Sequence, residues 1–111
     1  MIGQIQLEVI DMAVKIMIRA TLKGNDVGAI RKIHDEVTAA TRHMAQEAGD
    51  ISHHVYLNPQ NHRDFLGVDE WKSPEAAAAF ASSPQIKEFF GRMFEGMPEV
   101  TIWADSGWNQ W

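Results

Sequence analysis

The chain has 111 residues, with 15 acidic side chains against 10 Lys and Arg, a formal net charge of −5 and no cysteine. That length supports one hydrophobic core rather than two, and 45% hydrophobic with 23% charged residues is the composition of an ordinary folded domain. The charge repels a nucleic-acid backbone, with no basic stripe to offset it, and the missing thiols exclude disulfides, thiolate nucleophiles and Cys-ligated metal centres.

In chain order, residues 1–11, MIGQIQLEVID, alternate Ile5, Leu7 and Val9 with Gln4, Gln6 and Glu8, which predicts an N-terminal extension that forms an extra strand. AVKIMIRATL, ending at Leu22, sets Val14, Ile16, Ile18 and Ala20 against Lys15, Met17, Arg19 and Thr21, a strand. After the turn KGND, with Asn25 or Asp26 as N-cap, Val27, Ile30, Ile33, Val37, Ala40 and Met44 recur at spacings of three and four. They form one stripe of a helix that ends near Gly49, flanked by His34 and His43 as surface residues. ISHHVYLN alternates again, NPQNHRD makes a polar hairpin loop, and DFLGVDEW returns as a third strand. Ser73 before Pro74 and Ser83 before Pro84 each start a helix. The second carries Ile86, Phe89, Phe90, Met93 and Phe94 on one face, with Gly96 and Pro98 closing it. EVTIWAD is the fourth strand, and the Trp-containing residues 106–111 follow as a tail. The order β, α, β, β, helical pair, β over residues 12–105 is that of a ferredoxin-like α+β domain, a four-stranded antiparallel sheet with helices on one face. No apolar run approaches the roughly 18 residues of a membrane span and no secretory leader is evident, so a cytoplasmic protein with no membrane partner is expected.

Because side chains alternate along a strand, each strand divides into two sets. The aliphatic set, with Val14, Ile16, Ile51, Val55, Leu66, Val68, Val100 and Ile102, is expected to face the helices and to include His53 near a sheet end. The other set holds Arg19, His54, Tyr56, Phe65, Asp69, Trp71 and Trp103. Burying its aromatic and Met side chains is worth on the order of 10 kcal/mol, so a cover is required, and a second copy of the same sheet is the simplest one. This predicts a homodimer whose sheets enclose a cavity, with the tail tryptophans on the partner or at the cavity mouth. Adjacent histidines in a strand point to opposite faces, and no further ligand stands at metal-binding spacing, so no metal site is expected. His54 beside Tyr56 and Asp69 can act as a general base or hold a substrate hydroxyl, or it can belong to a polar network inside the interface. Asp69 can serve the same chemistry or orient Arg19.

The element order and the run FLGVDEWKSPEAAAAFASSPQIKEFF resemble the antibiotic biosynthesis monooxygenase family, small dimeric α+β barrels, over residues 12 to 104. The matching positions are Gly49, Asp69, Trp71, Ser73, Glu75, Ala76, Ser83 and Pro84. The resemblance implies one of several activities: cofactor-free oxygenation of quinols and polyketide phenols, haem degradation, or isomerisation of a sugar phosphate. Many members carry a histidine where Phe80 stands here, and its replacement removes the axial ligand of the haem-degrading version. The expectation is therefore a cofactor-independent monooxygenase of an aromatic or quinol-like small molecule in the dimer cavity. His54 and Asp69 would be catalytic, Arg19, Tyr56, Phe65, Trp71 and Trp103 would surround the substrate, and no cofactor would be needed. The alternative is a non-catalytic dimeric module that binds a small ligand or simply assembles.

Overall fold

The computed structural model describes residues 13–111; the strand expected within residues 1–11 lies outside them. The elements are β1 (Val14–Leu22), α1 (Val27–Ala48), β2 (Asp50–Asn58), β3 (Asn61–Trp71), α2 (Pro74–Ala81), α3 (Pro84–Met93) and β4 (Phe94–Ala104). The sheet order is β2-β3-β1-β4 with every neighbouring pair antiparallel. This is the ferredoxin-like α+β fold expected from the element order.

Local signals start and stop the helices where they stand in the sequence. The Asp26 carboxylate accepts from the Ala29 amide at 3.0 Å, and Ser73 and Ser83 accept from Ala76 and Ile86, with proline in the first turn of both short helices. Helix α1 ends at Gly49, whose φ of 121° lies in the region that a Cβ disfavours. Helix α3 stops earlier than its pattern suggests. Phe94 is already extended, pairs with Leu22 and packs in the core against Phe65 with ring centroids 5.0 Å apart. Gly96 and Pro98 then belong to an irregularity in β4, where Arg19 pairs with Glu99 but Thr21 with Glu95. Among the described residues β4 is an edge strand, where the missing amide of Pro98 breaks no ladder.

The register corrects the assignment of faces on β3. Val14 stands opposite Trp71, Ile16 opposite Asp69, Ile18 opposite Gly67 and Ala20 opposite Phe65. Directly paired residues share a face, so Phe65, Asp69 and Trp71 face the helices, while Leu66 and Val68 face away. Packing decides this parity. Phe65 and Trp71 are 6% and 4% exposed beneath the helices. The Phe65 ring lies over Gly67, where a Cβ would come within 3.2 Å of it. Aromatic volume under three helices outweighs the two aliphatics that the alternation offers instead. Phe65 joins Leu22, Ile30, Met93 and Phe94 in one core cluster; Trp71 joins Val14, Ile16 and Ala77 in another. Val100 and Ile102 share the helix-side face, on edge strand β4, yet stay about half exposed.

Candidate functional site

Between the inner row of α1 and the helix-facing side of β1, β2 and β3 lies a cavity of about 390 Å³. Its aromatic lining is Trp71, Phe80, Phe89 and Phe90, with the Trp71 and Phe80 rings 5.1 Å apart. The α1 side is less apolar than its stripe predicts. The row that turns inward runs through Ile30, His34, Val37, Thr38, Thr41 and Ala45, whereas Ala40 and Met44 are exposed. Hydroxyl and small side chains on this row leave room that leucines would fill.

A polar seam crosses the cavity, and a β-bulge creates it. Asp50 pairs with Trp71 but Ser52 pairs with Glu70, so β2 carries one extra residue at this point. In a regular strand Asp50 and His53 would point to opposite faces; the bulge brings both to the helix side. His53 sits directly across from Asp69 in the ladder, with its Nδ1 hydrogen-bonded to the Asp69 Oδ1 at 2.7 Å. Its Nε2 meets the Nε2 of His34 at 2.9 Å, the two rings lying nearly parallel with centroids 5.1 Å apart. His34 Nδ1 in turn donates to Asp35 at 3.0 Å, and the Thr38 hydroxyl lies 3.3 Å from its Nε2. Asp50 lines the same cavity, and its buried Oδ1 has no hydrogen-bond partner among the described residues.

The charges follow from these contacts. Burial, and then the neighbouring Asp69 carboxyl, push the Asp50 carboxyl up to about 8, so it holds a proton at neutral pH. The hydrogen bond to Asp69 raises His53 against the opposing effect of burial. At the outer end, the hydrogen bond from His34 holds Asp35 below its ordinary value. A carboxyl that stays protonated near neutrality, beside an imidazole that holds its proton more firmly, is suited to move protons to or from a bound molecule.

The residues singled out in the sequence fall on both sides of the sheet. Asp69, Trp71 and Phe65 are on the helix side, Asp69 and Trp71 in the cavity and Phe65 in the core. His54, Tyr56, Arg19 and Trp103 are on the open side, so the expected pairing of His54 with Asp69 does not form: His54 stands opposite Val68. Arg19 is engaged by Asp64, through a bidentate pair at 3.1 and 2.9 Å, and not by Asp69. Arg19, Tyr56 and Trp103 border a groove of about 490 Å³ on that open face, together with Met17, Leu66 and Glu99. His34, Asp50 and His53 are the functional candidates that the sequence reading passed over. A visible signal existed for His34, which lies four residues after Ile30 and four before Thr38. None existed for Asp50, since a bulge has no mark in IS. Among the described residues no cluster of three or more His, Asp or Glu is arranged to hold a metal ion, and no helix is long and apolar enough to cross a membrane.

The chain matches the profile of antibiotic biosynthesis monooxygenases over residues 16–92. No curated protein matches it. Its fold is shared by a conserved protein from Methanosarcina mazei Go1, at 18% identity and a TM-score of 0.69, covering 90% of this chain and 99% of that one. SnoaB, a cofactor-independent oxygenase from Streptomyces nogalater, is 14% identical with a TM-score of 0.67, covering 85% and 93%. Rv0793 from Mycobacterium tuberculosis is 19% identical with a TM-score of 0.65, covering 88% and 99%. At these identities the likeness establishes the fold.

Proposed function

The chain belongs to the antibiotic biosynthesis monooxygenase family, and from that premise we propose that it is a cofactor-independent monooxygenase whose substrate, a phenol or quinol, binds in the cavity between helices and sheet. The observation that carries this reading is one aromatic-walled space of about 390 Å³ crossed by the Asp50, Asp69 and His53 seam. That volume suits a small fused-ring molecule, and apolar walls with a few convergent polar groups are the usual make-up of such sites. Loss of the phenol proton turns the ring system into an electron donor for dioxygen. The ring C–H para to the phenol oxygen becomes C=O, one oxygen atom of dioxygen enters the product and the second leaves as water with that hydrogen and the phenol proton, so the substrate supplies every electron. The protein then has to hold the ring plane, exclude water and accept a proton. Trp71 and Phe80 supply the plane, and Asp69 with His53 the proton acceptor.

A homodimer formed through the open sheet face is part of the same proposal. Tyr56 and Trp103 are 54% and 58% exposed there, flanking Met17 and Leu66, and a second sheet would take these side chains out of water. His54 and Arg19 then belong to the interface rather than to the substrate pocket.

The test is dioxygen uptake with a panel of anthrones, reduced naphthoquinones and polyphenols. Asp69→Asn is expected to lower kcat/KM by roughly 10²- to 10⁴-fold, the range of a lost acid–base group, and His54→Ala to have a small effect. The opposite ranking would move the reaction to the open face. Binding across the panel with no oxygen consumed would favour a non-catalytic ligand-binding module.

A further inference from the structure

All four ring nitrogens of His34 and His53 are engaged, and the chemistry of their partners limits how many protons the pair can carry. Asp69 lies at one end and Asp35 at the other, 2.7 and 3.0 Å from ring nitrogens, and the two Nε2 atoms face each other at 2.9 Å. A carboxylate only accepts, so each end of the chain needs an N–H, and the central contact needs one more. Three hydrogen bonds thus require three N–H groups on two rings, one more than two neutral imidazoles possess. A fourth would set two N–H groups head to head at 2.9 Å and break the central bond. The arrangement is satisfied by one extra proton, neither none nor two.

We propose that His34 and His53 act as one base that stores a single proton between Asp69 and Asp35, and that this pair receives the substrate's proton by way of Asp69. The proposal rests on the reading of the cavity as an acid–base site. In the unloaded pair the hydrogens sit on His53 Nε2, directed at His34, and on His34 Nδ1, directed at Asp35. His53 Nδ1 is then free to accept. A phenol in the cavity gives its proton to Asp69, whose side chain keeps 18% exposure on the cavity wall, and Asp69 delivers a proton to His53 Nδ1, 2.7 Å away. The substrate loses one proton, the pair gains one, and Asp69 returns to its starting state. His34 is only 15% exposed while Asp35 is 59% exposed, so the outer end of the chain opens to solvent and the stored proton leaves there.

Among the described residues the charged groups around the pair are few. Helix α1 contributes Asp35, with Arg31 at 3.5 Å from it, and Arg42 on the cavity wall; β2 contributes Asp50 and β3 Asp69. Helices α2 and α3 present only alanine, isoleucine and phenylalanine to the cavity. Phe89, with its ring 6.4 Å from that of His34, supplies no competing acceptor.

Long-range proton–nitrogen NMR of the histidine rings in the resting protein, from about pH 5 to about pH 9, tests the shared proton without turnover. The nitrogen shifts of both rings are expected to move together in one step that adds a single proton to the pair, with a separate second step at lower pH. Two rings that each take up a whole proton independently would overturn the proposal. In His34→Ala the cation on His53 loses its acceptor, and its midpoint should fall by on the order of one pH unit. Asp35→Asn should move it in the same direction by less. An unchanged His53 midpoint in a His34→Ala protein with parental circular dichroism and melting would equally sink the idea. In the oxygen-uptake assay, His34→Ala should lower kcat with KM preserved and respond to added imidazole, which a purely structural ring would not. Absence of uptake in the parent protein defeats the monooxygenase reading and leaves the NMR titration to decide the pair. Uptake combined with independently titrating rings keeps that reading and removes the pair from it.

Discussion

Asp50 is held in a place where its charge is costly, and the pH dependence of folding should show it. Its carboxyl lies near 8 in the folded chain against an ordinary value of 3.8, so the folded state binds the proton more tightly than the unfolded state. The resulting stabilisation is fully present below about pH 4 and is lost progressively as pH rises to about 8. His53 is raised above its ordinary 6.5 and adds a loss of the same sign at the upper end of that window. Asp50→Asn should therefore melt close to the parent at pH 5 and above it at pH 8, and a scan of melting temperature against pH measures this. If the difference does not grow with pH, Asp50 is not held protonated. Beside it, Gly49 adopts φ 121° and a Cβ there would meet the Lys72 side chain at 2.7 Å. The lysine can swing away, but the backbone strain stays, and Gly49→Ala should cost about 1–3 kcal/mol in denaturant unfolding.

The elements differ in how much of their environment is local. A cap is settled by residues three apart, which is why Ser73 and Ser83 were legible before any packing was known. Ser73→Ala should lose about 1 kcal/mol, read as a shift of the urea midpoint with the slope unchanged. Strand β3 is the opposite case. FLGVDEW offers two parities, and nothing within those residues says whether Leu66 and Val68 or Phe65 and Trp71 turn toward the helices. The choice depends on Phe94 and Phe80 arriving from β4 and α2 to pack against the aromatic set. Helix α1 shows a smaller version of the same effect, since its inward row runs through His34 and Thr41 while Ala40 and Met44 stay exposed. Met93, at the end of α3 and 1% exposed, lies where α3, β4 and the sheet meet. Met93→Ala should cost about 2–5 kcal/mol, well above any cap change.

For the molecule as a whole, the open sheet face and the helix-side cavity make separate demands. The proposed homodimer predicts that sedimentation will report twice the chain mass and that Trp103→Asp, on the open face, will shift the protein toward monomer. A parent chain that sediments as a monomer at micromolar concentration would remove the second sheet from the proposal. The sequence by itself determined the order of the elements, most of their boundaries, the ferredoxin-like topology and the family, because periodicity, caps and turn residues act over a few positions. It also separated His53 from His54, which needs nothing beyond strand alternation. Only the tertiary structure decided which of the two meets Asp69, because that depends on the register between β2 and β3. The same holds for Asp50, turned inward by a bulge that a one-residue mismatch between strands creates, and for His34, brought 19 positions along the chain to within 2.9 Å of His53. Register and bulges are properties of paired strands, and no single segment carries them.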